Sequence, residues 1–247
     1  VTKTVDTSYI RTHKWLIDKW VETDKGDTIG DEKIPKIWLL EGYNESENAY
    51  WYVDVDYDGY VDSAHKVWGT VTIVNTGTQD AVITSVADLL GGTAVDVDFG
   101  DVTFPYTLPV GETLEGTYSE DGEFEGNNVV TVTTEVDTYS DTKPIVWGDP
   151  ATEINKTVNI SDLSDLNGLV ALGSVTAPTG NTFSYSEKFE WADYEGEQHL
   201  TFNNTATIVE TGQNDSAVLK VNKLDEDLTV TKTVDTSYIR THKWLID

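Results

Sequence analysis

Cysteine is absent from this chain, so it holds neither a disulfide framework nor thiol chemistry. That absence does not assign a reducing compartment, since exported chains can also do without the residue. Methionine is missing too, an initiator included, which fits an internal or processed piece of a longer chain. Basic residues are scarce: 16 Lys and Arg against 44 Asp and Glu give a formal net charge of −28. Nucleic acid and anionic membrane surfaces are poor partners for such a chain. Cations, high salt or solubilisation are better reasons for it. Long apolar runs are lacking as well. Runs such as residues 37–40 fall far below the roughly 20 residues of a membrane-spanning helix. No signal peptide is visible, which for an internal piece says nothing about export. Disorder is the other explanation of acidic chains, and the 8 Trp and 12 Tyr argue against it.

What is present, above all, is a repeat. Residues 1–18, VTKTVDTSYIRTHKWLID, return letter for letter as residues 230–247. The simplest reading is one unit followed by the opening of the next; the alternative is a duplication engineered for crystallisation. Within the segment Val1, Val5, Tyr9, Trp15 and Ile17 fall on odd positions with Lys3, Arg11 and His13 between them, and polar residues fill most even ones. That is a strand pattern of period two. Fully extended it would reach roughly 60 Å, beyond an ordinary strand. It is therefore expected to break near residues 6–8 and to serve two sheets or two adjacent domains. Val1, Val5, Tyr9, Trp15 and Ile17, with Val230, Val234, Tyr238, Trp244 and Ile246, are the candidate assembly residues. Both copies are expected to adopt one conformation.

Further strands are expected at 34–40, with Pro35 marking an edge, and at 50–57, where Trp51, Val53, Val55 and Tyr57 share a face. Residues 67–74 and 81–87 flank the turn NTGTQD and read as a hairpin. Strands at 95–99, 102–108, 113–118 and 129–136 follow at sandwich spacing. Residues 138–143 read as a linker. Strands at 145–147, 156–160, 172–175, 183–189, 200–209 and 217–221 come next, and 161–169 suggests a short helical turn with Ser161 as N-cap. The halves share patterns in order, for example NNVVTVTTE (127–135) and NNTATIVET (203–211).

KTVDTSYIRTHKWLID, VWGTVTIVNTG, FPYTLPVGETLEGTYS and NNTATIVETGQNDSAVLKV together resemble the repeats of very large secreted prokaryotic surface proteins. These are built from tandem immunoglobulin-like or fibronectin-like β-sandwiches. The likeness covers most of the unit and carries fold and repetition, with no chemistry attached. It implies an all-β chain of two tandem Ig-like sandwiches per repeat, linked by a long shared strand segment. The expected divisions are a connecting segment at 1–18, a first sandwich with an N-terminal elaboration at 19–140, a second at 141–224, and the start of the next repeat at 225–247. It also implies an extracellular, cell-surface location. Neighbouring copies of the repeat would be partners in a filament or stalk; the alternative is an adhesin that takes a sugar or protein ligand of the cell surface through its loops. Some related repeats carry cysteines, and this chain departs from them there.

Chemistry is sparse. DVDYDGYVD (54–62) matches the first half of a calcium loop, with Asp54, Asp56 and Asp58 before Gly59 and Asp62 as a further ligand. Its twelfth position is His65 where such a loop needs a bidentate Glu, and a strand ending in a solvated acidic turn has the same sequence. Calcium is thus the one cofactor suggested. The histidines His13, His65 and His199 lie in no nucleophile or metal motif, and His242 repeats His13. Nothing assembles nucleophile, base and oxyanion site, so no enzyme is expected. Sequons at Asn44, Asn155, Asn159, Asn203 and Asn214 are candidate glycan acceptors.

Overall fold

Period-two alternation carries this chain through strands well beyond the usual length of about 3–10 residues. The computed structural model describes residues 1–225 and 229–245. The chain opens with β1 (Thr2–Lys3), β2 (Asp6–Thr23), β3 (Thr28–Ile29), β4 (Ile34–Leu40) and the 29-residue β5 (Ser46–Val74). The middle holds β6 (Ala81–Leu90), β7 (Thr93–Val95), β8 (Tyr106–Leu108), β9 (Thr113–Asp121), β10 (Asn127–Thr134) and β11 (Thr138–Pro144). The last third holds β12 (Thr152–Ile154), β13 (Thr157–Ser164), β14 (Gly168–Thr176), β15 (Asn181–Glu190), β16 (Gln198–Ile208) and β17 (Asn214–Leu224). A 3-10 turn at Trp191–Asp193 is the only helical element among the described residues.

β5 is the spine. Along one edge lie β1 and β2, both antiparallel, from Thr2 opposite Thr72 to Thr23 opposite Ala49. Along the other lie β9, against Lys66–Val74, and β15, against Ser46–Val55. β12 adds to β2 in parallel. A second sheet, β11-β10-β6-β7 with β8 on β6, covers one end of this spine sheet. A third, β14-β13-β16-β17-β4-β3, covers the other end. The fold is all-β, with sheets packed face to face as β-sandwiches.

Each end has its own core. Val67, Val71, Leu114 and Tyr118 of the spine sheet pack on Ile83, Leu90, Val130 and Val132 of the second sheet. At the other end Trp15, Val53 and Val55 pack on Val158, Ile160, Ala206 and Ile208. Val21, Ala49 and Trp51 continue that layer against Ile37, Leu39, Leu219 and Val221. Between the ends no residue of β5 from Asp56 to Lys66 is buried. Two register shifts against β2 fall in this waist, where Gly59 (φ 82) and Ala64 (φ 51) adopt left-handed conformations. Such bulges insert one extra residue and sharpen the local twist, which turns the ribbon between its two cores.

Several expectations are corrected. Val74 and Ala81 do flank residues 75–80, but β5 and β6 belong to different sheets, so the connection is an arch between layers and not a hairpin. The Asn75 side chain holds the arch by donating to the Gln79 and Leu108 carbonyls, both at 2.9 Å. Residues 138–143 form the outer strand β11 on β10 and not a linker. As an edge strand it is exposed on nearly every residue and so carries no apolar alternation. Residues 161–169 form the end of β13, a tight turn and the start of β14; Ser161 pairs with Ala171 within the ladder and caps no helix. Residues 145–147 lie outside the strands. Pro35 pairs with Thr28 inside the third sheet. Residues 19–57, read as part of the first sandwich, pack instead with β13–β17. Period-two patterns identify a strand without naming its partner.

Candidate functional site

Residues 1–18, the first copy of the repeated segment, are built into the spine sheet. The chain breaks at Thr4–Val5, slightly before the expected position, and β1 and β2 then continue along the same edge of β5. Tyr9 and Trp15 are buried, and Val1, Val5 and Ile17 pack at the margins of the cores. The Trp15 indole N–H donates to the Asn155 carbonyl at 2.8 Å. The second copy behaves otherwise. Residues 230–245 lie outside any strand and are exposed, with Val230, Val234, Tyr238 and Trp244 all open. Ile246 falls outside the described residues. The expectation of one shared conformation therefore fails within a single chain, because β5 offers that edge once and residues 1–18 fill it.

Asp54 borders the waist, and Asp56, Asp58 and Asp62 lie in it. Asp54, Asp56 and Asp58 lie along β5 itself, with Asp54 opposite Asp18 and Asp56 opposite Leu16, and do not curl into a loop. Asp54 accepts from the Thr182 hydroxyl at 2.5 Å. Asp62 accepts from two nitrogens of Arg11, both at 2.8 Å, and this fork holds its carboxyl below the usual carboxylate range. Among the described residues no group of three or more His, Asp or Glu converges as metal ligands. Nearby, His13 lies between the Tyr57 hydroxyl and Glu153, each at 3.0 Å.

The sequons differ in access. Asn44 is buried, its amide donating to the Trp38 carbonyl and to Glu47. Asn155 is half-buried in a left-handed conformation (φ 56). Asn159, Asn203 and Asn214 are exposed.

Two clusters that sequence reasoning did not single out lie between the sheets. In the first, Lys3 of β1 projects from the spine sheet and donates to Asp88 of β6 at 2.5 Å and to the Asn128 side-chain oxygen of β10. All three are buried, with relative exposures of 3 %, 2 % and 0 %. The Lys3 amine stands 4.6 Å from the Tyr118 ring centroid. In the second, Lys19 of β2 donates to both oxygens of Asp162 on β13, at 2.9 and 3.0 Å. Tyr185 donates to Asp162 at 2.6 Å, and Asn204 of β16 donates to the Tyr185 oxygen.

The clusters share a layout. Asp88 pairs with Val130 while Asn128 pairs with Leu90; Asp162 pairs with Ala206 while Asn204 pairs with Ser164. Acid and amide are thus diagonal neighbours on one sheet face in both sandwiches. Burial lowers the pKa of Lys3 and of Lys19 and raises that of Asp88. It also pushes the Tyr118 hydroxyl up to about 12 and raises that of Tyr185. The signal was present in the alternation: Lys3 lies between Val1 and Val5, and Lys19 between Ile17 and Val21, on the odd, inward positions.

No protein-family model matches the chain, and no curated protein matches it either.

Proposed function

We propose that this chain is the structural repeat unit of an extracellular filament or cell-surface stalk, two Ig-like sandwiches long, joined to its neighbours through the repeated segment. The observation that carries this reading is the double state of one sequence. Residues 1–18 complete the edge of β5, while residues 230–245 of the identical copy have their apolar side chains in water. An exposed row of large apolar residues calls for a partner, and the edge of a following unit's β5 is the partner that this sequence fits by construction. In a continuous polymer the second copy is the first strand of the next unit. A long, cysteine-free, strongly acidic β-chain suits such a passive role.

A tandem chain tests this directly: residues 1–247 extended by a second copy of residues 19–229. Tyr238 and Trp244 are expected to become as protected from proteolysis and hydrogen exchange as Tyr9 and Trp15. A middle segment as open as the present second copy would contradict the reading.

A further inference from the structure

Each sandwich buries one lysine amine with one carboxylic acid and one carboxamide, an expensive choice for stability alone. A buried ion pair often loses more by desolvation than it gains by attraction, and these clusters are imperfectly satisfied. Among the described residues Asp88 Oδ2, Asn128 Nδ2 and Asn204 Oδ1 are buried without a hydrogen-bond partner. Each such group costs free energy, so two copies of the arrangement require a reason other than packing.

The geometry supplies one. We propose that Lys3 and Asn128 are the two halves of an intramolecular amide bond whose formation Asp88 assists as acid and base, and that Lys19 and Asn204 form a second one assisted by Asp162. The Lys3 amine already touches the Asn128 carboxamide, and Asp88 touches the amine. A lysine amine is a nucleophile only when neutral, and a carboxyl group donates to a carbonyl only when protonated. Burial favours both forms at the first site, lowering the lysine pKa and raising that of Asp88. Transfer of one proton from Lys3 to Asp88 produces both reactants.

The step balances without any outside reagent. The neutral amine attacks Asn128 Cγ while protonated Asp88 hydrogen-bonds to the carboxamide oxygen. A bond forms between Lys3 Nζ and Asn128 Cγ. Asp88 then takes a proton from Nζ and delivers one to the Asn128 amide nitrogen. The Cγ–Nδ2 bond breaks and ammonia leaves; nothing is oxidised or reduced. At the second site the Tyr185 hydroxyl links Asp162 to Asn204, so it must turn aside for Lys19 to reach the amide.

The placement fits a clasp. Lys3 lies on the two-residue β1 and Lys19 on β2, while Asn128 and Asn204 lie in the sheets that face them. Each bond would tie the spine sheet to its cover, and the first would fasten the short N-terminal strand that ladder hydrogen bonds alone hold weakly.

Intact-mass spectrometry of the denatured 247-residue chain decides the matter, followed by sequencing of proteolytic fragments. Loss of two ammonia molecules is expected, about 34 Da below the sequence mass, with branched peptides joining Lys3 to Asn128 and Lys19 to Asn204. Asp88→Ala and Lys3→Arg should each restore about 17 Da and remove only the first branched peptide. An unmodified chain with the full sequence mass overturns the proposal, whether or not any variant folds. One branched peptide without the other upholds that site and overturns its counterpart. A bond retained in Asp88→Ala overturns the role of Asp88. A branch at Lys232 in place of Lys3 overturns the assignment of Lys3 as the nucleophile.

Discussion

Trp15 and Trp244 occupy the same place in the repeated segment, yet Trp15 is 1 % exposed and Trp244 88 %. Trp15 packs edge-on against Tyr57, with ring centroids 5.4 Å apart, inside the core that joins β2 and β5 to β13 and β16. Trp244 has the same flanking residues and no such core. Position along the chain, not local sequence, decides which copy is buried.

That contrast makes a paired prediction. Trp15→Ala should destabilise the chain by about 3–5 kcal/mol, the usual cost of emptying a buried aromatic site. Trp244→Ala should stay within about 0.5 kcal/mol of the parent. Urea unfolding of the two variants measures both. Equal losses would show that the second copy is packed as well.

Gly69 predicts a steric effect. A Cβ there would lie 2.2 Å from the Thr4 carbonyl oxygen and 2.6 Å from the Tyr118 hydroxyl. The Tyr118 hydroxyl also donates to that carbonyl at 2.6 Å, so neither neighbour has room to yield. Gly69→Ala should cost about 1–3 kcal/mol as an overpacked site and loosen β1 from β5. Hydrogen exchange at the Thr4 amide, which donates to the Thr70 carbonyl, reports the second effect. Unchanged exchange there would contradict the placement of β1.

Much of the strand pattern was legible because burial on one face leaves period-two alternation. β4 begins and ends where its apolar residues do, and Trp51, Val53 and Val55 point inward as their spacing requires. Partners were not legible. The arch after Val74 carries a hairpin's turn residues, but Val74 and Ala81 feed opposite layers, and alternation looks the same either way. β11 escaped because its residues are mostly exposed on both faces. The acidic motif suggested a loop because Gly59 permits one, whereas the chain spends that glycine on a bulge within β5. Lys3 and Lys19 sat on inward positions, but their partners across the sandwich come from strands more than 80 residues away.

Acid should reveal the waist. Arg11 holds the Asp62 carboxyl below the usual range, so its folded pKa lies below its unfolded value near 4. The stability it contributes is present above that unfolded value and is lost as pH falls through the lowered folded one. Asp62→Asn should therefore melt below the parent at pH 7, with a gap that closes towards pH 2. Both side chains are about a quarter exposed, so salt should shrink the gap at pH 7. Thermal midpoints across this range measure it. A gap independent of pH would show that Asp62 acts through packing and not charge.

Access sorts the sequons. In material exported by a glycosylating cell, sugar is expected at the exposed Asn159, Asn203 or Asn214 and not at Asn44, which is buried. Glycopeptide mapping settles each position. A glycan on Asn44 would contradict its placement.

Whether units are consecutive stretches of one polypeptide is the question on which this account stands. Denaturing electrophoresis of native filaments, with heat and denaturant sufficient to unfold every sandwich, measures it most directly. A continuous chain predicts a single species of very high mass and no ladder beneath it. A band near 27.4 kDa, the mass of residues 1–247, would show separate subunits and contradict the account.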